Sequence, residues 1–246
     1  MSAGGLRYKI RQYGWAAFVT TLIFTFLSIY IFYRRGYYDL YIANKVFAGV
    51  SALLLGIVLL IGLASRFFTV FDPLLRHRKE LGIVVFYLAV VHGIVSFFFL
   101  PSKFPMANFI DKTNWPFIFG LTATIILFGI FLISNDSAMK FIGGKKWWWL
   151  QNWGARVGFV LVGLHVFVMK WKGWVNWYKV GGEKSLVHPE WPGASIIVAW
   201  FMVFVVLIRV AEILSPRFGK LVWYLSAVLL PTIYVVTFWW GTRFVG

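Results

Sequence analysis

Seven apolar stretches, at about 14–33, 44–64, 80–100, 117–134, 150–170, 194–214 and 221–240, are each long enough to cross a lipid bilayer, or nearly so. Hydrocarbon offers no partner for a backbone N–H or C=O, so a single chain crossing it this often must satisfy those groups within helices. The pattern predicts an all-α integral membrane protein, a bundle of six to seven transmembrane helices forming one transmembrane domain over residues 1–246. Composition agrees where it matters: 61% of the 246 residues are hydrophobic and only 13% charged, outside the range of a water-soluble domain.

The charged minority is lopsided, with 24 Lys and Arg against 8 Asp and Glu. These basic residues fall almost wholly between the apolar stretches, where they anchor helix ends against anionic headgroups. The implied partner of that charge is membrane lipid, and nucleic acid is not expected. Once Arg156 and Arg209 are counted, the basic residues favour by a small margin the side that carries the N-terminus, which predicts a cytoplasmic N-terminus in a multi-pass inner (plasma) membrane protein. The first stretch follows a basic segment but has no small-residue cleavage site, so it reads as a retained span. No connection is long enough to hold a nucleotide or flavin domain; the longest, about 171–193, should be a loop with turns at Gly181-Gly182 and Pro189 to Gly193.

There is no cysteine, which excludes disulfides, iron–sulfur clusters and thiolate metal sites. Any redox centre must therefore use histidine, of which there are four. His165 lies inside the fifth stretch, framed by Trp147 to Trp149 at one end and Trp171 to Trp174 at the other. An ionisable residue within a membrane span marks a functional site by default and needs a partner. His92, in the third stretch, is the matching residue. The third and fifth spans run in the same direction, and a rise of 1.5 Å per residue puts the two rings roughly 18 and 22 Å from one membrane face. Two imidazoles at one depth on parallel helices suit the two axial positions of a low-spin haem iron. Gly93, Gly158 and Gly163 nearby would leave room for a flat macrocycle or for a close helix. The plainer reading is that each histidine is hydrogen-bonded to a neighbouring helix.

The remaining candidates are weaker. His77, in the basic run Arg76 to Lys79, reads first as a headgroup-facing loop residue and only second as a cofactor contact. His188 reads as a loop residue. Arg156, nine residues before His165, could snorkel to the headgroups or contact an anion such as a haem propionate, a quinone carbonyl or a flavin phosphate. Gly154 to Gly158 fits the small-xxx-small helix-packing pattern.

Two segments carry a family resemblance. Residues 71–93 place a basic loop, then Leu-Gly, then His92 on the following helix; residues 143–171 place Lys145, Lys146 and the Trp147 to Trp149 run ahead of His165. Both resemble the third and fifth spans of ferric-reductase-like transmembrane proteins, and most of all the haem-binding membrane subunits of bacterial methionine sulfoxide reductase systems. The resemblance covers about residues 45–214 and leaves the seventh span without a counterpart. It implies that His92 and His165 are the axial ligands of haem b. Where the family usually has a second pair of histidines, this chain has Gln151 and Asn152 on one helix and Arg78 beside His77 on the other, which implies one haem, with a second one not expected.

The same resemblance implies an electron-transfer subunit of a membrane oxidoreductase. It would take electrons from a quinol or a flavoprotein donor, with quinone or FMN as further cofactors, and pass them to an acceptor on the outer side such as a periplasmic reductase. The alternative from a different class is a non-redox transporter or scaffold with structural histidines.

Overall fold

The computed structural model describes residues 3–244, with side chains described from Ile10 onward. Its helices are α1 (Ala3–Arg35), α2 (Leu40–Phe67), α3 (Arg78–Ile94), α4 (Ala107–Ile110), α5 (Trp115–Leu132), α6 (Asp136–Ile142), α7 (Gly144–Val180), α8 (Ala194–Leu214) and α9 (Pro216–Gly241). A 3-10 segment, Thr69–His77, leads into α3, and a short π-helical turn, Val95–Phe99, follows it. Among the described residues there is no strand, and seven helices are long and apolar enough to cross a membrane: α1, α2, the Thr69–Phe99 segment, α5, α7, α8 and α9. The protein is an all-α membrane bundle, as its hydropathy requires.

Local chemistry sets the ends. Asp39 caps α2 by accepting from the Ile42 amide at 2.8 Å, and Asn114 and Asn135 cap α5 and α6 in the same way. Pro116 and Pro216 stand in the first turns of α5 and α9, where the missing N–H costs nothing. The most consequential departure from the hydropathy reading is α7. It runs continuously for 37 residues, so the first ten residues of the expected 171–193 loop are helix and only Gly181 onward is loop. Gly173 does not break it, because an isolated glycine costs only about 1 kcal/mol and every i→i−4 bond can still form. The helix stops at Gly181, whose φ of 78° is the left-handed region a helix end needs.

α2 is the centre of the bundle. It is the most enclosed span, with Ile42, Val46, Val50, Leu54, Leu59 and Leu63 all shielded, and it packs against α1, α3, α7 and α8. The closest pairing outside it is α5 with α7. Gly154 and Gly158 face Ile130, Ile126 and Leu127 of α5, so the small-xxx-small pattern does serve helix contact. These two glycines therefore give no room to a macrocycle, whereas Gly93 has nothing within 4 Å of the place a side chain would take. α9 packs chiefly on α8 and stands at the periphery, which fits a seventh span outside the region of family resemblance.

Candidate functional site

The histidine pair lies on the side of the membrane opposite the N-terminus, enclosed by α2, α3, α5 and α7. α3 packs on α2 and α5, and α7 packs on α5 and α2, but α3 and α7 scarcely approach each other directly. The two rings are still close enough for a charge on His165 to act on His92, and Lys170 is near both.

Each ring is held by an oxygen from another helix. His92 Nδ1 is 3.0 Å from Oδ1 and 3.1 Å from the backbone oxygen of Asn44 on α2. Asn44 is itself fixed: it is 1% exposed, and its Nδ2 donates to Ser96 Oγ at 2.8 Å. The backbone carbonyl of Asn44 can only accept, so His92 Nδ1 carries the proton, and Oδ1 is the amide atom turned to it. His165 Nδ1 donates to the Pro116 carbonyl oxygen at 2.6 Å, in the first turn of α5. Gly120, one turn further along, makes this possible: a Cβ there would lie 2.9 Å from His165 Nδ1 and 3.2 Å from Cε1.

Both imidazoles are thereby set in the same tautomer, with Nδ1 protonated and Nε2 carrying its lone pair. Among the described residues neither Nε2 has a hydrogen-bond partner. This is the arrangement of metal-ligating histidines, whose second nitrogen donates to a carbonyl or carboxylate that fixes the ring and raises its basicity. Imidazoles in this state have the chemistry of haem-iron ligands at Nε2. They do not resemble a zinc site, and among the described residues no group of three or more His, Asp or Glu is placed to hold a metal ion by itself. Asn44, Ser96, Pro116 and Gly120 escaped the sequence reading. Asn44 alone gave a signal, as a lone amide at the edge of an apolar stretch.

The other candidates lie elsewhere. Arg156 is nine residues from His165, about 13 Å along the helix axis. It is drawn to Glu212 of α8 at 3.5 Å and stacks over Trp153 at 5.0 Å. His77 corrects an expectation: it is not headgroup-facing but 5% exposed, its ring stacked on Trp15 of α1 at 4.3 Å, because α1 folds over the 3-10 segment. Neither approaches the His92–His165 pair. Gln151 donates to the Ile130 carbonyl at 3.2 Å and to Ser134 Oγ at 3.0 Å, tying the start of α7 to the end of α5. His188 is a loop residue, stacked on Trp191 and paired with Glu190 at 2.9 Å.

No family model matches this chain. Among characterised proteins it is similar to the protein-methionine-sulfoxide reductase heme-binding subunit MsrQ of Herminiimonas arsenicoxydans, at 29% identity over 100 residues. That stretch covers 40% of this chain and 44% of that protein, less than half the length of either.

Proposed function

We propose that this protein is a haem b membrane electron-transfer subunit in which His92 and His165 are the axial ligands. The observation that carries the reading is the matched state of the two rings: each Nδ1 is held by an oxygen from a different helix, and each Nε2 is left without a protein partner. The similarity to a heme-binding reductase subunit supports it independently. When bound, the haem iron would supply a one-electron carrier whose potential is set by its axial ligands and surroundings.

The rest is the work of the chain's own residues. Asn44 and the Pro116 carbonyl keep the imidazoles oriented and basic. Gly120 and Gly93 leave the two helices free of side chains at the places where bulk would push a ring aside or fill the space. Lys170, one and a half turns beyond His165, brings positive charge to the edge of the site where carboxylates of a macrocycle would be favoured. The apolar walls of α2 and α5 keep water away. Electrons would enter from a quinol or flavoprotein donor and leave to a reductase on the side opposite the N-terminus, which we take to be periplasmic. A single haem is proposed, since Gln151 is engaged in helix packing and His77 is stacked beneath Trp15.

Reduced-minus-oxidised spectra of the purified protein test this. Wild type should show the alpha and Soret bands of a low-spin b-type haem at about one per chain by pyridine haemochromogen, and His92→Ala and His165→Ala should each abolish them. Bands that persist in both variants, or a wild type without bands, refute the ligand assignment and favour a non-redox membrane protein.

A further inference from the structure

On the side of the membrane that carries the N-terminus, three arginines from three different helices meet around one carboxylate, and a fourth, from another helix, stands beside them. Arg66 near the end of α2 bonds to Glu212 Oε1, while Arg156 of α7 and Arg209 of α8 lie 3.5 and 3.6 Å from Oε2. Arg209 also donates to the Leu59 carbonyl of α2. Arg78, the first residue of α3, lays its guanidinium across α2 at Gly62, where a Cβ would meet Cζ at 3.0 Å. Arg66, Arg78 and Arg156 all stand near enough to Arg209 to repel it. Glu212 is 5% exposed, and α9 closes behind it: a Cβ at Gly219 would lie 2.7 Å from the Glu212 Cα.

The charges do not balance. Among the described residues no other carboxylate forms a salt bridge with these four arginines, so one negative charge faces four positive ones. Arg66 reaches outward with half its side chain exposed, but Arg209 is 8% exposed and the Arg156 side chain 14%. The Nε atoms of Arg78, Arg156 and Arg209 are all buried without a partner. Uncompensated charge and unmet donors at this depth carry a desolvation cost unless an anion supplies what the protein does not.

We propose that this cluster is a binding site for a phosphate group. Arginine forks match phosphate oxygens, and the site lies at the helix ends where headgroup phosphates reside. Basic pockets between transmembrane helices take anionic headgroups for the same reasons. The phosphate could be that of an anionic phospholipid or of a soluble compound, and the test separates the two sources.

Thermal unfolding of the full chain in non-ionic detergent, followed by tryptophan fluorescence, is the readout, and it does not depend on haem. The additions are short-chain phosphatidylglycerol, short-chain diacylglycerol and inorganic phosphate at matched ionic strength. A ligand bound only by the folded state raises the transition in a saturable manner. Wild type should respond to phosphatidylglycerol or to inorganic phosphate, and the responsive addition names the source. Arg78→Gln and Arg156→Gln should weaken the apparent affinity about tenfold or more, the worth of a charge-assisted hydrogen bond. Arg78→Lys keeps the charge without the fork and should fall between, so the series still reads if a neutral variant misfolds. No saturable response to either phosphate source, or an equal response in wild type and all three variants, overturns the proposal. So does an equal response to the phosphate-free diacylglycerol, which would mean that the acyl chains alone are bound.

Discussion

Gly120→Ala sets two physical rules against each other. In a helix interior the exchange should stabilise α5 by up to about 1 kcal/mol, because glycine has more backbone freedom to lose. At this position the new Cβ would stand 2.9 Å from His165 Nδ1, closer than such contacts are found. The neighbour is an imidazole already held at 2.6 Å from the Pro116 oxygen, so it cannot yield without lengthening that bond. A displacement of about half an ångström stretches it to about 3.1 Å, the long end of the ordinary N–H···O range, and weakens it. Loss of such a supporting bond costs about 10- to 100-fold in metal affinity, or about 1.4 to 2.8 kcal/mol. The two effects on folding nearly cancel, so the variant should keep wild-type stability within about 1 kcal/mol, while holding haem about 10-fold more weakly, up to 100-fold if the bond is lost. Gly129→Ala, on the same helix with nothing within 4 Å, is the control and should leave haem unchanged. The assay is the haem-to-protein ratio by pyridine haemochromogen together with the rate of haem transfer to an excess of apomyoglobin. If Gly120→Ala matched Gly129→Ala in both, the placement of His165 against α5 would be refuted.

Other outcomes follow from the same contacts. Asn44→Leu removes the side-chain acceptor for His92, keeps the backbone oxygen at 3.1 Å and leaves Ser96 unpartnered, so haem affinity should fall about 10-fold, the low end of the range for a lost supporting bond, read by the same transfer assay. Asn44→Asp replaces the amide with a charged acceptor, makes His92 a stronger donor and should move the midpoint potential negative in a spectroelectrochemical titration. Lys170→Gln removes a positive charge near both rings and should shift the potential in the same direction. Gln151→Ala should cost about 1 kcal/mol of thermal stability by releasing Ile130 and Ser134, with haem stoichiometry unaltered; a fall in haem content would instead make Gln151 part of a cofactor site.

What the sequence by itself determined is whatever the solvent imposes one residue at a time. Apolar runs of about 20 residues must be helices in hydrocarbon, so the class and the approximate spans were legible. An imidazole in such a run is rare enough to stand out, and axial rise alone brought His92 and His165 to one level. The tertiary structure decided what depends on a second helix. The oxygen that holds His165 is a backbone carbonyl, which every residue possesses and no pattern marks, and Gly120 matters only because a ring from α7 lies over it. His77 reads as solvated from its basic neighbours, yet Trp15, from a helix 62 residues earlier, covers it. Arg66, Arg78, Arg156 and Arg209 each look like an ordinary headgroup anchor. Only the packing of α2, α3, α7 and α8 brings them around Glu212, because net charge in a site is a sum over neighbours in space, and hydropathy is a sum along the chain.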